Sequence, residues 1–168
     1  NWIGNGQLIP SGPLREKLTS INKYDRIFLK GESDNISKII ESIKNENDKI
    51  PIFRTFYDPI NLKKFDTSEK YLIFAGIGNP KNFKDILSKN NLKIIDEIFF
   101  PDHHLYTEND IYKIKERANF SNAKIITTEK DFVKIPDTQK KDINFLEIDL
   151  KIIDEHKLVS FLKSKIFK

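Results

Sequence analysis

Apolar residues occur along this chain in two alternating patterns. Short continuous apolar or β-branched runs predict strands at residues 26–29, 50–57, 71–75, 92–100, 124–127 and 143–148. Between them, apolar residues spaced three and four apart predict amphipathic helices with these apolar positions: Ile36, Ile39, Ile40 and Ile43; Phe83, Ile86 and Leu87; Ile111, Ile114 and Ala118; Leu158, Leu162 and Ile166. Strands that alternate with helices predict an α/β fold with a largely parallel sheet and flanking helices.

Local signals mark where three of these helices begin. Asn79 followed by Pro80 predicts an N-cap and a first helical residue. Thr107, with Asp110 three residues later, predicts a weak version of the capping box. Asp34 is the predicted N-cap of the first helix.

The opening of the chain differs from the rest. Residues 1–20 contain three of the six glycines and two of the seven prolines, which predicts irregular, poorly anchored structure. We therefore expect an irregular tail over residues 1–25 and one α/β domain over residues 26–168. The 168 residues include no methionine, so we also expect a processed product or a fragment.

Composition narrows the class of protein. A hydrophobic content of 38% with 32% charged residues is typical of a folded globule. The net charge of +4, from 29 basic and 25 acidic residues, is well mixed and argues against a nucleic-acid-binding protein. The absence of cysteine excludes disulfides and thiolate metal sites.

Candidate chemistry follows three predicted strands, at residues 76–79, 101–106 and 127–131. Ligands of parallel α/β sheets bind at the carboxyl ends of the strands. Asp102, His103 and His104 bring a carboxylate and two imidazoles to one such end, and histidine can shuttle a proton near neutral pH. The alternative, that these are surface or capping residues, stays open. We predict no metal site, since adjacent residues rarely both bind one ion.

The other polar segments give weaker signals. Gly76 and Gly78 do not make a dinucleotide fingerprint, because the third glycine is replaced by Lys81. No glycine is followed by lysine, so the phosphate-binding P-loop pattern is absent too. Capping by Thr128, with acids in the first turn, explains residues 128–131 (Thr128, Glu129, Lys130 and Asp131), to which we assign no function.

Arg15 and Glu16 follow the glycine-rich opening. A guanidinium fork at Arg15 would suit an anionic ligand. An ordinary surface pair explains the two residues equally well.

Four segments, taken in order, resemble the tetraacyldisaccharide 4′-kinases, the family of lipid A kinases. Residues 4–16 read GNGQLIPSGPLRE, residues 74–80 FAGIGNP, residues 100–104 FPDHH and residues 127–131 TTEKD. The resemblance covers residues 4–134, and it departs from the family at Lys17, where proline is common.

This resemblance implies the Rossmann-like C-terminal domain of a P-loop kinase. The activity it implies is transfer of phosphate from ATP to the 4′-hydroxyl of a lipid A disaccharide precursor, tetraacyldisaccharide 1-phosphate. The place it implies is the cytoplasmic face of the inner membrane of a Gram-negative bacterium, with peripheral membrane contact. The P-loop and the acidic residues that serve ATP, Mg²⁺ and the catalytic base would lie in a missing N-terminal half, so we expect this chain alone to be inactive.

The resemblance also implies roles for particular residues. His103 would pair with a catalytic aspartate of the missing half, which leaves His104 free to pack or bond locally. From their place beside His103, Asp102 and His104 are candidate supporting residues. Arg15 and Glu16 would lie near the lipid substrate.

Two alternatives remain. The chain could be a non-catalytic remnant, or a partner subunit that docks to a separate P-loop half. An Asp-His-His string also occurs in DHH-type phosphoesterases, but the supporting Asp-x-Asp pattern is absent here, which disfavours that class.

Overall fold

A computed structural model describes residues 3–31 and 36–167 of the chain. Its strands and α-helices are β1 (Ile27–Lys30), α1 (Ile36–Glu46), β2 (Ile52–Pro59), β3 (Lys70–Ala75), α2 (Pro80–Lys89), β4 (Lys93–Phe99), α3 (Glu108–Phe120), β5 (Lys124–Thr128), α4 (Glu129–Phe132), β6 (Ile143–Leu146), β7 (Ile148–Ile152) and α5 (Glu155–Ile166). Short 3-10 helices lie at Leu18–Lys23, Leu62–Lys64 and Asp137–Gln139. The predicted cap Asp34 lies outside the described residues.

The strands form two sheets, and the chain divides into two compact units. One unit contains Pro59–Asp149, and the other contains Asn1–Asp58 together with Leu150–Lys168. The first unit holds a four-stranded sheet with the order β4-β3-β5-β6, in which all neighbours are parallel. This arrangement, with its flanking helices, confirms the predicted fold class.

The order of these four strands creates a switch point between β3 and β5. From β3 the chain moves outward to β4, and it then returns past β3 to form β5 on the other side. In open α/β sheets the crevice at such a point, beside the carboxyl ends of the strands, is where ligands usually bind.

Both faces of this sheet are covered, because β3 is apolar on both sides. Its odd-numbered residues pack with Phe83 and Leu87 of α2, and its even-numbered residues pack with Ile111, Ile114 and Ala118 of α3. Fully burying one such large apolar side chain stabilises a fold by roughly 1.5–3 kcal/mol. The two clusters therefore hold the carboxyl ends of the strands on a rigid base.

The helix caps are where the sequence predicts them. Asn79 caps α2 by accepting a hydrogen bond from the Asn82 N–H at 3.2 Å, with Pro80 in the first turn. Thr107 and Asp110 make a complete capping box at the start of α3. Both predicted caps are confirmed.

The predicted single strand at residues 143–148 is wrong. The structure divides it into β6 and β7, which belong to different sheets. The Asn61 side chain explains the break, because it donates to the Phe145 carbonyl at 2.9 Å and accepts from the Glu147 N–H at 3.0 Å. These bonds replace sheet pairing at the point where the chain changes sheet.

The second unit holds the sheet β1-β2-β7, in which β1 and β2 are parallel. Its core packs β1 against α1 through Leu29, Ile36, Ile39, Ile43 and Ile50. The opening segment, described from Ile3, contains turns, bends and one isolated bridge between Leu8 and Leu14 before the 3-10 helix. It is better anchored than expected, since Ile3, Leu18 and Ile21 pack against the same core.

α5 behaves differently from the other long helices. None of its residues is buried, and the apolar residues Leu162 and Ile166 are 45% and 70% exposed. Within residues 3–31 and 36–167, no helix is both long and apolar enough to cross a bilayer.

Candidate functional site

The three polar loops predicted to share one sheet edge do meet there. The Gly76 N–H after β3 donates to the Asp131 carboxylate after β5 at 2.9 Å. The Gly76 carbonyl accepts from the His103 N–H, in the loop after β4, at 3.2 Å. Gly76 thus joins the loops that follow β4 and β5.

His103 lies on the outside of this junction. Its backbone has a left-handed φ of +63°, and its N–H also lies 3.0 Å from the Asp102 carboxylate. The imidazole is 75% exposed, with Nε2 3.7 Å from Asp102 Oδ2. Lys130, which is also exposed, places its ammonium 3.8 Å from the other oxygen of Asp102. An imidazole, a carboxylate and an ammonium are therefore open to a ligand at this edge.

His104 points into the protein instead. Its ring stacks on Phe100 at 4.4 Å between centroids and meets the edge of Tyr106 at 5.1 Å. Nε2 lies 3.1 Å from Asp110 Oδ2, so the imidazole also ties the loop to the first turn of α3. The two adjacent histidines thus have different surroundings: one is open to solvent, and the other is packed and hydrogen-bonded.

Asp131 is completely buried. Its Oδ2 accepts from Gly76 and from the Thr128 hydroxyl at 2.8 Å, and its Oδ1 lies 2.9 Å from the ammonium of Lys134. Thr128 in turn caps α4 by accepting from the Asp131 N–H, as predicted. Sequence reasoning found the cap but missed the burial and the bond to Gly76. The spacing of Thr128, Asp131 and Lys134 at i, i+3 and i+6 fits the local contacts of Asp131, but no local pattern indicates its bond to Gly76.

Tyr106 completes the inner side of the site. Its hydroxyl is buried and makes no hydrogen bond of good geometry with the described residues. Burial raises the pKa of this phenol above its ordinary value, and the charge of Asp131 raises it further. A Cβ placed on Gly76 would lie 3.0 Å from the Tyr106 hydroxyl and 3.2 Å from His104 Cβ, so any larger residue would require these neighbours to shift by a few tenths of an ångström.

Asp102 and Asp131, at this edge, do not suit Mg²⁺. Mg²⁺ requires several oxygen ligands in near-octahedral order. Asp102 and Asp131 each face a lysine ammonium, and among the described residues no group of three or more His, Cys, Asp or Glu could hold an ion. We assign no Mg²⁺ ligand among residues 3–31 and 36–167.

Arg15 and Glu16 lie in the other compact unit, on an ordered turn. The Ile9 N–H donates to the Leu14 carbonyl at 2.9 Å, and the Leu14 N–H donates to Gln7 at 3.1 Å, which closes the loop just before Arg15. A Cβ on Gly12 would collide with the Gln7 carbonyl, so the loop can close only with glycine there. Both Arg15 and Glu16 are exposed.

Comparison with known sequences decides the family. The sequence model described as tetraacyldisaccharide-1-P 4′-kinase matches residues 1–167. The chain belongs to the tetraacyldisaccharide-1-P 4′-kinase family. The predicted resemblance is therefore confirmed, and the match extends beyond the four motifs to almost the whole chain.

Similar curated proteins carry the name tetraacyldisaccharide 4′-kinase. The one from Pelagibacter ubique (strain HTCC1062) is 41% identical over 162 residues, covering 96% of this chain and 52% of the relative. The one from Rickettsia akari (strain Hartford) is 34% identical over 174 aligned positions, covering 99% of this chain and 48% of the relative. The chain spans about half the length of the curated relatives it matches.

A solved structure of the family has the same fold. The crystal structure of LpxK from Aquifex aeolicus in complex with ATP matches with a TM-score of 0.62 and 20% sequence identity. The match covers 95% of this chain and 48% of that chain. The phosphoesterase alternative gains no support from any of these matches.

Proposed function

We propose that this chain is the C-terminal part of an ATP-dependent kinase that phosphorylates the 4′-hydroxyl of tetraacyldisaccharide 1-phosphate in lipid A biosynthesis. The observation that carries the proposal is the family match over residues 1–167, in a chain about half as long as its named relatives. The exposed His103 at the carboxyl edge of the parallel sheet supplies the chemistry on this side.

His103 assists the general base in this proposal. A catalytic aspartate outside this chain accepts the proton of the sugar hydroxyl, and the His103 imidazole orients that aspartate by a hydrogen bond. The imidazole is 75% exposed, so a partner can reach it. General-base assistance of this kind typically contributes about 10²–10⁴-fold to the rate. Asp102 and His104 shape the same loop.

Arg15 and Glu16 bind the lipid substrate in this proposal. Both side chains are exposed at the end of a closed turn, and a guanidinium suits a phosphate because its donors match two oxygens at once. Among the described residues Arg15 makes no ion pair, and the Glu16 carboxylate has only the Tyr24 hydroxyl nearby, 3.4 Å away. An anionic lipid at the cytoplasmic face of the inner membrane, contacted peripherally, fits these features.

ATP and Mg²⁺ belong, in this proposal, to the part of the kinase outside this chain. Phosphoryl transfer depends on positioning and charge stabilisation around the phosphates. The sequence has no P-loop, and Asp102 and Asp131 face lysines rather than an open ion site. The isolated chain is therefore inactive, and the complete kinase is needed for turnover.

The test joins this chain to the part of the Pelagibacter ubique kinase that it does not match; we call the product the restored kinase. Phosphate transfer from radiolabelled ATP to tetraacyldisaccharide 1-phosphate is measured for the chain alone, the added part alone and the restored kinase. We expect transfer only from the restored kinase. In that kinase Arg15→Ala should weaken lipid binding, which would be measured as a higher KM for the lipid. Saturable turnover by the chain alone, or none by a folded restored kinase, would contradict the proposal.

A further version of this test distinguishes two hypotheses: that the chain is a covalent part of one enzyme, or that it is a separate partner subunit. The two parts are expressed as separate chains and mixed. Activity on mixing shows that this chain works as a docking subunit, whereas activity of the fusion alone shows that it needs a covalent link.

A further inference from the structure

Asp131 is a fully buried acid to which the proposed chemistry assigns no part. Its carboxylate is held by the Gly76 N–H, the Thr128 hydroxyl and the Lys134 ammonium, all within 2.9 Å. A carboxylate is tolerated in a protein interior only when such partners offset the loss of water. The position of this group is therefore tightly fixed.

Gly76 connects this carboxylate to the histidine loop. It lies 55 residues before Asp131 in the chain, directly after β3. Its N–H donates to Asp131, and its carbonyl accepts from the His103 N–H at 3.2 Å. The two peptide groups that flank Gly76 thus link the loops: one binds Asp131 after β5, and the other binds His103 after β4.

His103 needs external support to keep its conformation. Its φ of +63° is left-handed, which costs a residue with a Cβ roughly 1–2 kcal/mol. Such a conformation persists only where the surroundings impose it. The exposed ring is not held by packing, so its direction depends on the backbone bonds to Gly76 and Asp102.

We propose that Asp131 is a positioning residue that fixes the direction of His103 through Gly76. This proposal rests on the proposed role of His103 in the kinase. Asp131 touches neither the imidazole nor the reacting groups. Without its acceptor oxygen the Gly76 turn loosens, and His103 leaves the conformation that aims its ring at the edge of the sheet.

Two double variants and one control isolate this effect. Asp131→Asn with Lys134→Gln keeps an acceptor oxygen for the Gly76 N–H. Asp131→Leu with Lys134→Met removes it while keeping the same number of side-chain heavy atoms and the same branching at residue 131. Neither pair leaves a buried charge unpaired, so both are expected to fold. The control, Thr127→Val, deletes a buried hydroxyl that donates to the Phe74 carbonyl at 2.8 Å without touching Gly76.

The first measurement is amide hydrogen exchange of His103 in the isolated chain, which does not depend on activity. We expect exchange to be about tenfold faster in the Leu/Met variant, because local opening becomes easier. The Asn/Gln variant and Thr127→Val should exchange like the parent chain. Unchanged exchange in the Leu/Met variant overturns the positioning proposal alone.

The second measurement is kcat in the restored kinase. The Leu/Met variant should lose about 10- to 100-fold in kcat, as a small misplacement of a catalytic group does, with KM for ATP unchanged. The kcat of the Asn/Gln variant should stay within about threefold of the parent value. Adding the Leu/Met pair to His103→Ala should lower kcat no further than His103→Ala alone does. If the Leu/Met pair lowers kcat by the same factor in the parent and in His103→Ala, the proposal is overturned. Full activity of His103→Ala overturns it together with the proposed role of His103.

Discussion

The loops that follow β4 and β5 lie at the same sheet edge, but Asp131 in one and Asp102 and His103 in the other differ in burial and in hydrogen bonding. After β5, Asp131 is fully buried and every oxygen has a partner. After β4, Asp102 and His103 are exposed, and their contacts with charged groups are 3.7–3.8 Å long. The loop after β5 with Asp131, here called the buried loop, therefore supports the architecture. The loop after β4 with Asp102 and His103, here called the open loop, keeps its groups available for a ligand.

The largest effect on folding should come from breaking the buried loop. Asp131→Ala leaves the Lys134 ammonium and the Gly76 N–H without their acceptor. Removing one partner of a buried ion pair typically costs about 3–5 kcal/mol. We expect the free energy of unfolding in urea to fall by about 3 kcal/mol, because Lys134 keeps some exposure. If Asp131→Ala lowers the free energy of unfolding no more than the control Asp102→Ala at an exposed position, the two loops do not differ in their contribution to stability.

Crowding at Gly76 gives the next largest effect. Gly76→Ala places a methyl group 3.0 Å from the Tyr106 hydroxyl, and overpacking of this kind costs about 1–3 kcal/mol. Tyr106→Phe removes that hydroxyl, which has no hydrogen bond of good geometry to lose among the described residues. In urea unfolding, the second substitution should recover part of the loss caused by the first. Additive losses would show that the clash lies elsewhere.

Asp110, which contacts His104 and caps α3, should contribute to stability in a pH-dependent way. Hydrogen bonds from the Thr107 N–H and hydroxyl, and then from His104, lower the pKa of Asp110 below its ordinary value of 3.8. Its contribution to stability is therefore complete above about pH 4, and it is lost as pH falls through the lowered pKa.

Asp110→Asn should destabilise the chain by about 0.5–1 kcal/mol at pH 7, as the loss of a helix cap does. The difference between the parent and the variant should shrink as urea unfolding is repeated toward pH 3. A difference that stays constant over this range would mean that the capping charge adds nothing.

The smallest effect should come from Lys130, which follows β5 and faces Asp102 of the open loop. Its ammonium lies 3.8 Å from Asp102 with both side chains about half exposed, and such pairs contribute about 0–1 kcal/mol. We expect Lys130→Gln to change the free energy of unfolding by less than about 0.5 kcal/mol. A larger loss in urea unfolding would place Lys130 with the supporting residues of Asp131.

The sequence predicts features that depend on neighbouring residues. The caps at Asn79 and Thr107 are set within one helical turn, and the buried stripe of α3 follows from its spacing. The order of the four motifs was enough to suggest the family, which the comparisons confirm. The polar loops also meet where parallel strands require them to meet.

Other features depend on contacts between distant residues. The break at Glu147 comes from Asn61, 86 residues earlier in the chain, and no local pattern announces it. The bond from Gly76 to Asp131 spans 55 residues, so a helix cap was all that the sequence around Asp131 could predict. The different surroundings of His103 and His104 depend on the turn at residue 103, which adjacent identical residues do not reveal.

The central claim is that the exposed His103, and not the packed His104, serves catalysis in the complete kinase. It is tested most directly by kcat of His103→Ala and His104→Ala in the restored kinase, at saturating ATP and tetraacyldisaccharide 1-phosphate. We expect His103→Ala to lower kcat by about 10²–10⁴-fold while it folds normally. His104→Ala should lower the melting temperature, because its ring packs on Phe100, and should cost less than about tenfold in kcat. Near-parent turnover by His103→Ala, with the loss at His104→Ala instead, would contradict the account.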